Sequence, residues 1–80
     1  MCKEMRDEVL RLLEKLKLTQ AEVVRRINEN SSYRLTRPEF NTYLKGLSTP
    51  KANRVLMDAL KVLLREEGER EALLSEAKNL

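Results

Sequence analysis

Residues 35–50, LTRPEFNTYLKGLSTP, combine hydrogen-bonding side chains with signals that start and stop a helix. Thr36 followed by Glu39 fits a capping box, and Gly46 is suited to end the helix that the box begins. On a helical projection the apolar residues share one side and the polar residues the other: Phe40, Tyr43 and Leu44 against Pro38, Asn41, Thr42 and Lys45. The polar side carries no acid, so its side chains are suited to hydrogen bonding with a partner.

The residue types that catalysis and metal binding need are scarce. The chain has no histidine, which removes the commonest general base and zinc ligand, and its single cysteine, Cys2, cannot form an internal disulfide or a structural metal site. Its two glycines cannot build a phosphate-binding loop. The acidic pairs in residues 66–71 suit a solvated helix end. We therefore expect no enzyme activity, no metal, no cofactor and no small-molecule substrate.

The composition predicts one small helical domain. The chain has 80 residues, of which 41% are hydrophobic and 36% charged, and it contains one Phe and no Trp. Leu, Val and Ala must then build the core, which favours helices over strands. No apolar run approaches the roughly 20 residues of a membrane helix. The first residues lack the apolar block of a secretory signal, so we expect a cytoplasmic protein with no membrane contact.

The positive charge is concentrated in the middle of the chain. From Lys17 to Arg54 eight Lys and Arg residues face three acids, an excess of +5, whereas the remaining eight bases and ten acids give −2. A charged run is often only a solvated face, and an excess of this kind also suits a polyanionic partner. Charge alone leaves both interpretations open.

Apolar periodicity predicts an all-α fold, a compact bundle of four to five helices. The first helix covers about residues 3–17, and the second opens at a capping box formed by Thr19 and Glu22 and ends near Asn28 or Glu29. The third covers about residues 37–45 and the fourth starts after Thr49. Gly68 predicts a break or kink, followed by a short fifth helix over about residues 69–78.

Each predicted helix has one apolar side that we assign to the core. The assigned residues are Met5, Val9, Leu12, Leu13 and Leu16 in the first helix, Val23, Val24 and Ile27 in the second, and Ala52, Val55, Leu56, Ala59, Leu60 and Leu63 in the fourth. The segment NENSSYRL between the second and third helices is polar and long for a connection between neighbouring helices.

The order LTQAEVVRRI, a turn, LTRPEFNTYLKG and a Pro-initiated helix resembles the lambda-repressor/Cro-like (XRE-type) helix-turn-helix family from Leu18 to about Leu64. The resemblance implies one DNA-binding domain over residues 1–80, with the motif at about 19–46 and the third helix as the recognition helix in the major groove. The chain departs from the family at three places. Val24 replaces a small Ala, Asn28 stands where the turn has a Gly, and the turn is about six residues longer.

The resemblance implies roles for individual residues. The candidates for reading DNA bases are Arg37, Asn41, Thr42 and Glu39, the last of which alternatively only closes its capping box. The candidates for binding the DNA backbone are Gln20, Arg34, Thr36, Lys45, Ser48, Thr49 and Lys51. Pro38 offers only apolar contact. We expect Tyr43 in the core rather than on a phosphate, and Arg25 and Arg26 on solvated surface.

The function implied is that of a transcriptional regulator, a bacterial or phage repressor that binds specific double-stranded DNA as a homodimer and blocks an operator. The alternative is a protein-interaction adaptor on the same scaffold, such as an antitoxin or antirepressor. A plain helical bundle with chance basic clustering is the third interpretation. For the dimer interface we predict Met57, Leu64, Leu73 and Leu74, with Ala77 and Leu80 adding apolar surface, unless the C-terminal segment folds back to cover its own core.

Overall fold

The computed structural model describes the backbone of residues 2–79 and the side chains of residues 3–79. Over this range the chain is all-α, as the composition predicted, with helices α1 (Cys2–Leu16), α2 (Gln20–Asn30), α3 (Arg37–Leu44) and α4 (Pro50–Lys78). Leu80, assigned to the apolar C-terminal surface, lies outside the described residues. No helix within this range is long and apolar enough to cross a membrane.

Helix α1 packs against α4 through the predicted face. Val9, Leu12 and Leu16 are buried, and Met5 and Leu13 pack against them at the edge of the core. The helix ends in a Schellman motif, in which the amide of Leu18 donates to the carbonyl of Leu13 at 3.2 Å and Lys17 takes a positive φ of 57°. This left-handed residue turns the chain sharply into α2.

Helix α2 starts at the predicted Thr19, whose hydroxyl accepts a hydrogen bond from the amide of Glu22 at 3.2 Å. The carboxylate of Glu22, which the capping box would direct back to Thr19, instead accepts from Arg25 and Arg26. Val23, Val24 and Ile27 are buried as predicted. The helix extends to Asn30, slightly beyond the predicted end.

Asn28 is not the left-handed turn residue that the resemblance implied, because it lies inside α2. Its side chain clamps the far end of the connection: the Asn28 amide nitrogen donates to the carbonyl of Leu35 at 2.8 Å, and its oxygen accepts from the amide of Leu35 at 2.7 Å. Two polar backbone groups of the half-buried connection are thereby satisfied. The connection is long, and these two hydrogen bonds fix its far end to α2.

Helix α3 starts and stops as predicted. Thr36 and Glu39 form both halves of a capping box, and Leu35 and Phe40 occupy the two positions of a hydrophobic staple and are buried. At the other end the amide of Leu47 donates to the carbonyl of Thr42, and Gly46 has a φ of 125°, a conformation that favours glycine.

Helix α4 corrects the prediction of a fifth helix. It runs without a break from Pro50 through Gly68 to Lys78, because a single glycine weakens a helix without ending it. Its first half supplies the predicted core residues: Ala52, Val55, Leu56, Ala59 and Leu63 are buried and Leu60 is partly buried. Residues 71–79 are all exposed, so the C-terminal segment does not fold back over the core.

Candidate nucleic-acid interface

Helix α3 is seated in the domain by its apolar side. Phe40, Tyr43 and Leu44 are 0%, 5% and 6% exposed, which confirms that Tyr43 belongs to the core. The opposite side therefore faces outward, with Pro38, Thr42 and Lys45 exposed. Of the predicted base-reading residues, Arg37 and Thr42 are exposed, and Glu39 and Asn41 are half-buried.

Asn41 lies on the flank of α3 that faces the start of α2. The Gln20 amide nitrogen donates to the Asn41 side-chain oxygen at 3.4 Å, and both side chains are partly buried. Because its oxygen accepts this bond, the Asn41 amide is oriented with its nitrogen available as a donor. The first residue of α2 is thus in contact with a candidate base reader on α3.

Arg37 and Thr42 differ in the hydrogen-bonding groups that they still offer to a partner. Arg37 is exposed at the first position of α3, and within residues 2–79 its guanidinium has no ion pair. The hydroxyl of Thr42 donates to the Pro38 carbonyl one turn earlier at 3.0 Å. In this rotamer Thr42 can only accept a hydrogen bond from a partner, whereas Arg37 keeps its donors.

Glu39 is held by three groups of the domain. Its carboxylate accepts from the amide of Thr36 at 3.3 Å, from the hydroxyl of Tyr43 at 2.9 Å and from the ammonium of Lys51 at 2.7 Å. The ammonium of Lys51 and then the hydroxyl of Tyr43 lower the pKa of Glu39. Glu39 closes the capping box, one of the two roles considered for it, and it also ties the start of α3 to the start of α4.

Lys51, a predicted backbone contact, is therefore paired within the domain, and the Glu39 carboxylate raises its pKa. Its side chain is still 47% exposed. A phosphate would have to compete with Glu39 for the Lys51 ammonium.

The remaining predicted backbone contacts fall into two groups. Thr36 and Thr49 are N-caps, and their hydroxyl oxygens accept from the amides of Glu39 and Ala52. Ser48 is exposed in the loop before α4 and already has an interaction within the domain. Arg34 and Lys45 are exposed at opposite ends of α3, and within residues 2–79 neither has an ion pair.

Arg6 of α1 adds a cation that our reading of the sequence missed. Its guanidinium approaches the end of α3 so closely that a Cβ placed on Gly46 would lie 3.1 Å from it. A cation at the carboxyl end of a helix is favourable, because the last carbonyls are partly negative. No local pattern in α1 indicates this contact, since 40 positions separate the two residues.

Tyr33 anchors the long connection that carries Arg34. Its hydroxyl donates to the carboxylate of Asp58 at 2.5 Å, and the guanidinium of Arg54 lies 5.7 Å from the centre of its ring. Burial and then Asp58 raise the pKa of Tyr33 to about 12. Arg34 is thus carried by a segment that packs on α4.

A second arginine-rich region, here called the α2–α4 cleft, has as many glutamates as arginines in its lining. The cleft has a volume of about 350 Å³ and is lined by Arg25, Arg26, Glu29, Asn30, Val62, Arg65, Glu66 and Glu69. Each of its arginines is paired with a carboxylate: Arg25 with Glu22 and Glu29, Arg26 with Glu22 and Glu66, and Arg65 with Glu69. Hydrogen bonds from Arg25 and Arg26 lower the pKa of Glu22 to about 2.

The four predicted interface residues are exposed but do not form one surface. Met57 and Leu64 are 49% and 46% exposed, and Leu73 and Leu74 are 67% and 59% exposed. At 100° per residue along an unbroken α4, the first pair points away from the side that bears Leu73 and Leu74. The break expected at Gly68 would have allowed them to share a face, and the continuous helix separates them.

Comparison of the chain with protein-family models, with curated proteins and with solved structures finds no match in any of the three. Among the described residues no group of three or more His, Cys, Asp or Glu is placed to hold a metal ion. The geometry and charge of α3 and its neighbours are therefore the features that bear on function.

Proposed function

We propose that this protein is a sequence-specific double-stranded DNA-binding regulator, in which α2, the connection and α3 act as a helix-turn-helix of the lambda-repressor/Cro-like type. One observation carries the proposal: α3 presents an outward side with polar residues, flanked by the cations of Arg34, Arg37 and Lys45. Within residues 2–79 these cations have no ion pair, and the carboxylate of Glu39 is held by Lys51. Duplex DNA offers the matching chemistry, since phosphates attract cations and base edges accept and donate hydrogen bonds.

Each residue on this side of the domain then has a role. Arg37 reads a guanine edge with two donors, and Asn41, oriented by Gln20, donates to a base one turn further along α3. Arg34, Lys45 and Arg6 bind phosphates around α3, and Lys51 joins them when a phosphate replaces Glu39. Thr42 accepts a hydrogen bond or contacts a base with its methyl group.

The protein would regulate transcription by occupying an operator, and we propose that it acts as a homodimer. A single domain of this size touches too few base pairs to discriminate well, whereas a two-fold pair reads two half-sites about 34 Å apart. The proposed mode is repression, because occupation of an operator is by itself sufficient to block a promoter.

The test is a titration of labelled duplex DNA at several salt concentrations, with DNA from upstream of the protein's own gene and unrelated DNA of equal length. If about four phosphates are neutralised per domain, the logarithm of the binding constant should fall with the logarithm of salt concentration with a slope of about −3.6. The upstream DNA should bind more tightly than the unrelated DNA at every salt concentration.

The outcomes separate the proposal from its alternative. Binding that ignores salt would contradict the electrostatic argument, and equal affinity for both DNAs would contradict sequence-specific reading. An intact, folded protein that binds neither DNA would favour the adaptor, whose partner would then occupy the same side of α3.

A further inference from the structure

The last two and a half turns of α4 project from the domain. Residues 71–79 are exposed throughout, and the molecule measures 47 Å in its longest direction against 25 and 17 Å in the others. Leu73 and Leu74, 67% and 59% exposed, are the most exposed large apolar side chains among the described residues. We call residues 71–78 the α4 tail.

A polar clamp marks the point at which α4 leaves the domain. Glu66 accepts from Arg26 of α2 at 2.7 Å, and Arg70 donates to the carbonyl of Leu16, the last residue of α1, at 2.9 Å. Lys15 pairs with Glu67 beside them at 2.5 Å. The end of α1 thus lies beside Arg70, and every described residue of α4 beyond Arg70 is exposed.

The apolar side of the tail continues the core side of α4. At 100° per residue, Leu73, Leu74 and Ala77 project in the same general direction as Ala59 and Leu63, which are fully buried. The stripe that α1, α2 and α3 cover in the first half of the helix is therefore uncovered in the tail. A helical segment of this length is marginal in water without packing on its apolar side.

We propose that the α4 tails of two copies of this chain pack against each other in antiparallel orientation, through Leu73, Leu74 and Ala77. This inference rests on the homodimer included in the proposed function and specifies its interface. Small Ala77 side chains near the two-fold axis allow the helices to approach closely, and each Leu74 then lies opposite the partner's Ala77.

Charge complementarity selects a second copy and selects the antiparallel direction. Glu71 and Lys78 are seven residues apart, so they lie on the same flank of α4, and within residues 2–79 neither has an ion pair. In an antiparallel pair Glu71 of each copy comes beside Lys78 of the other, which gives two ion pairs. A parallel pair would instead place the two Glu71 side chains, and likewise the two Lys78 side chains, on opposite flanks of the pair, where neither ion pair can form.

The paired tails form a small interface. Two or three turns on each copy fall at the low end of interface areas, so the dimer should be weak in solution, with a dissociation constant in the micromolar range or above. Neighbouring half-sites on one duplex raise the local concentration of the second copy. The tails then contribute cooperativity to DNA binding rather than a permanent dimer.

The first test is sedimentation of the full chain over a concentration series up to millimolar, with Leu74→Glu and its matched control Leu64→Glu. Both leucines are exposed, so both variants should keep the parent's helicity. The parent and Leu64→Glu should associate with the same dissociation constant, and Leu74→Glu should weaken association at least tenfold. A parent that stays monomeric at millimolar concentration, or a Leu64→Glu variant as defective as Leu74→Glu, would overturn the proposal.

The second test examines direction. Glu71→Lys and Lys78→Glu should each weaken association several-fold, and the double variant should restore it, because the swap recreates both ion pairs. If neither single variant weakens association, or the double variant is no better than the singles, the antiparallel register is wrong.

DNA titrations separate this inference from the proposed function. A parent that dimerises but binds no DNA would refute the function and leave the tail interface standing. If the Leu74→Glu variant binds the site with the same affinity and cooperativity as the parent, the tail interface is refuted and DNA binding still stands.

Discussion

Two regions of this domain are rich in arginine and lysine, and they use the charge differently. In the α2–α4 cleft every lining arginine is paired with a carboxylate, and Glu22 forms ion pairs with both Arg25 and Arg26. Around α3 the cations of Arg34, Arg37 and Lys45 have no ion pair within residues 2–79. The two regions contain similar residue types, but only the cations around α3 are available to an anionic partner.

This difference shows that a count of charges does not locate a binding surface. The excess of +5 in residues 17–54 includes Arg25 and Arg26, whose charges are already compensated. A phosphate that approached the cleft would have to displace a carboxylate at each arginine, whereas at α3 it meets cations that are only hydrated. Pairing, which depends on the fold, decides where an anionic partner can bind.

The largest expected effect on DNA binding comes from replacing one arginine in each region and comparing the two losses of affinity. Replacing Arg37 by Ala should cost about 1–3 kcal/mol on the preferred site and relax the preference at one base pair, since it removes a reader with two donors. Replacing Arg25 by Ala should change DNA affinity little, because its charge is already paired with Glu22 and Glu29. Binding titrations on specific and random duplexes measure both. Equal losses for the two variants would mean that pairing does not decide availability.

A smaller effect is expected when a carboxylate is neutralised. In Glu39→Gln the capping box can persist, since Gln also serves at that position, and the ammonium of Lys51 becomes available to a phosphate. Binding to all sequences should strengthen, because the phosphate that Lys51 binds no longer has to displace the Glu39 carboxylate.

Glu29→Gln is the matched control, because it uncovers part of Arg25 in the cleft and should leave the DNA affinity nearly unchanged. Weaker binding by Glu39→Gln would instead indicate that Glu39 itself contacts a base, the alternative role considered for it. Lys51→Ala should weaken binding to specific and random DNA alike.

The smallest effect concerns the cleft and pH. Hydrogen bonds from arginines lower the pKa of Glu22 to about 2 and also lower the pKa of Glu66 from its ordinary 4.5. Their contribution to stability is therefore complete above about pH 5 and is lost as the pH falls toward 2, where both carboxylates take up protons. Because these groups are partly exposed, solvent screening keeps the loss modest.

Thermal unfolding at pH 6, 4 and 2 checks this expectation. Glu22→Gln should melt below the parent at pH 6 and close to it at pH 2. Glu14→Gln is the control, since Glu14 is exposed and has no ion pair within residues 2–79. If the difference in melting temperature between the parent and Glu22→Gln does not shrink in acid, the stabilising role of these ion pairs is contradicted.

Much of the fold was predictable because its signals are local. Thr36 and Glu39, Gly46, and the spacing of Val9, Leu12 and Leu16 act within one or two turns of helix, and the structure confirms the elements that they predicted. Gly68 shows the limit of this reasoning. A glycine favours a break, but the residues on both sides of it favour a helix, and α4 continues through it.

The candidate site was predictable only in part. The outward side of α3 follows from periodicity, because the buried Phe40, Tyr43 and Leu44 leave Thr42 and Lys45 facing away from the core. The clamp of Asn28 on Leu35 and the approach of Arg6 to Gly46 had no such signal.

The sequence by itself determined the all-α class, the starts of α2, α3 and α4, the core residues within the helices and the polar side of α3, because each depends on neighbours within a few residues. It did not indicate the buried Leu35 of the connection. Only the tertiary structure decided which charges are compensated and which apolar residues stay uncovered. Arg26 meets Glu66 across 40 positions, and Leu74 stays exposed because α1 ends beside Arg70, before the tail begins. Such outcomes depend on which distant residues are brought together, and no pattern of neighbouring residues encodes that.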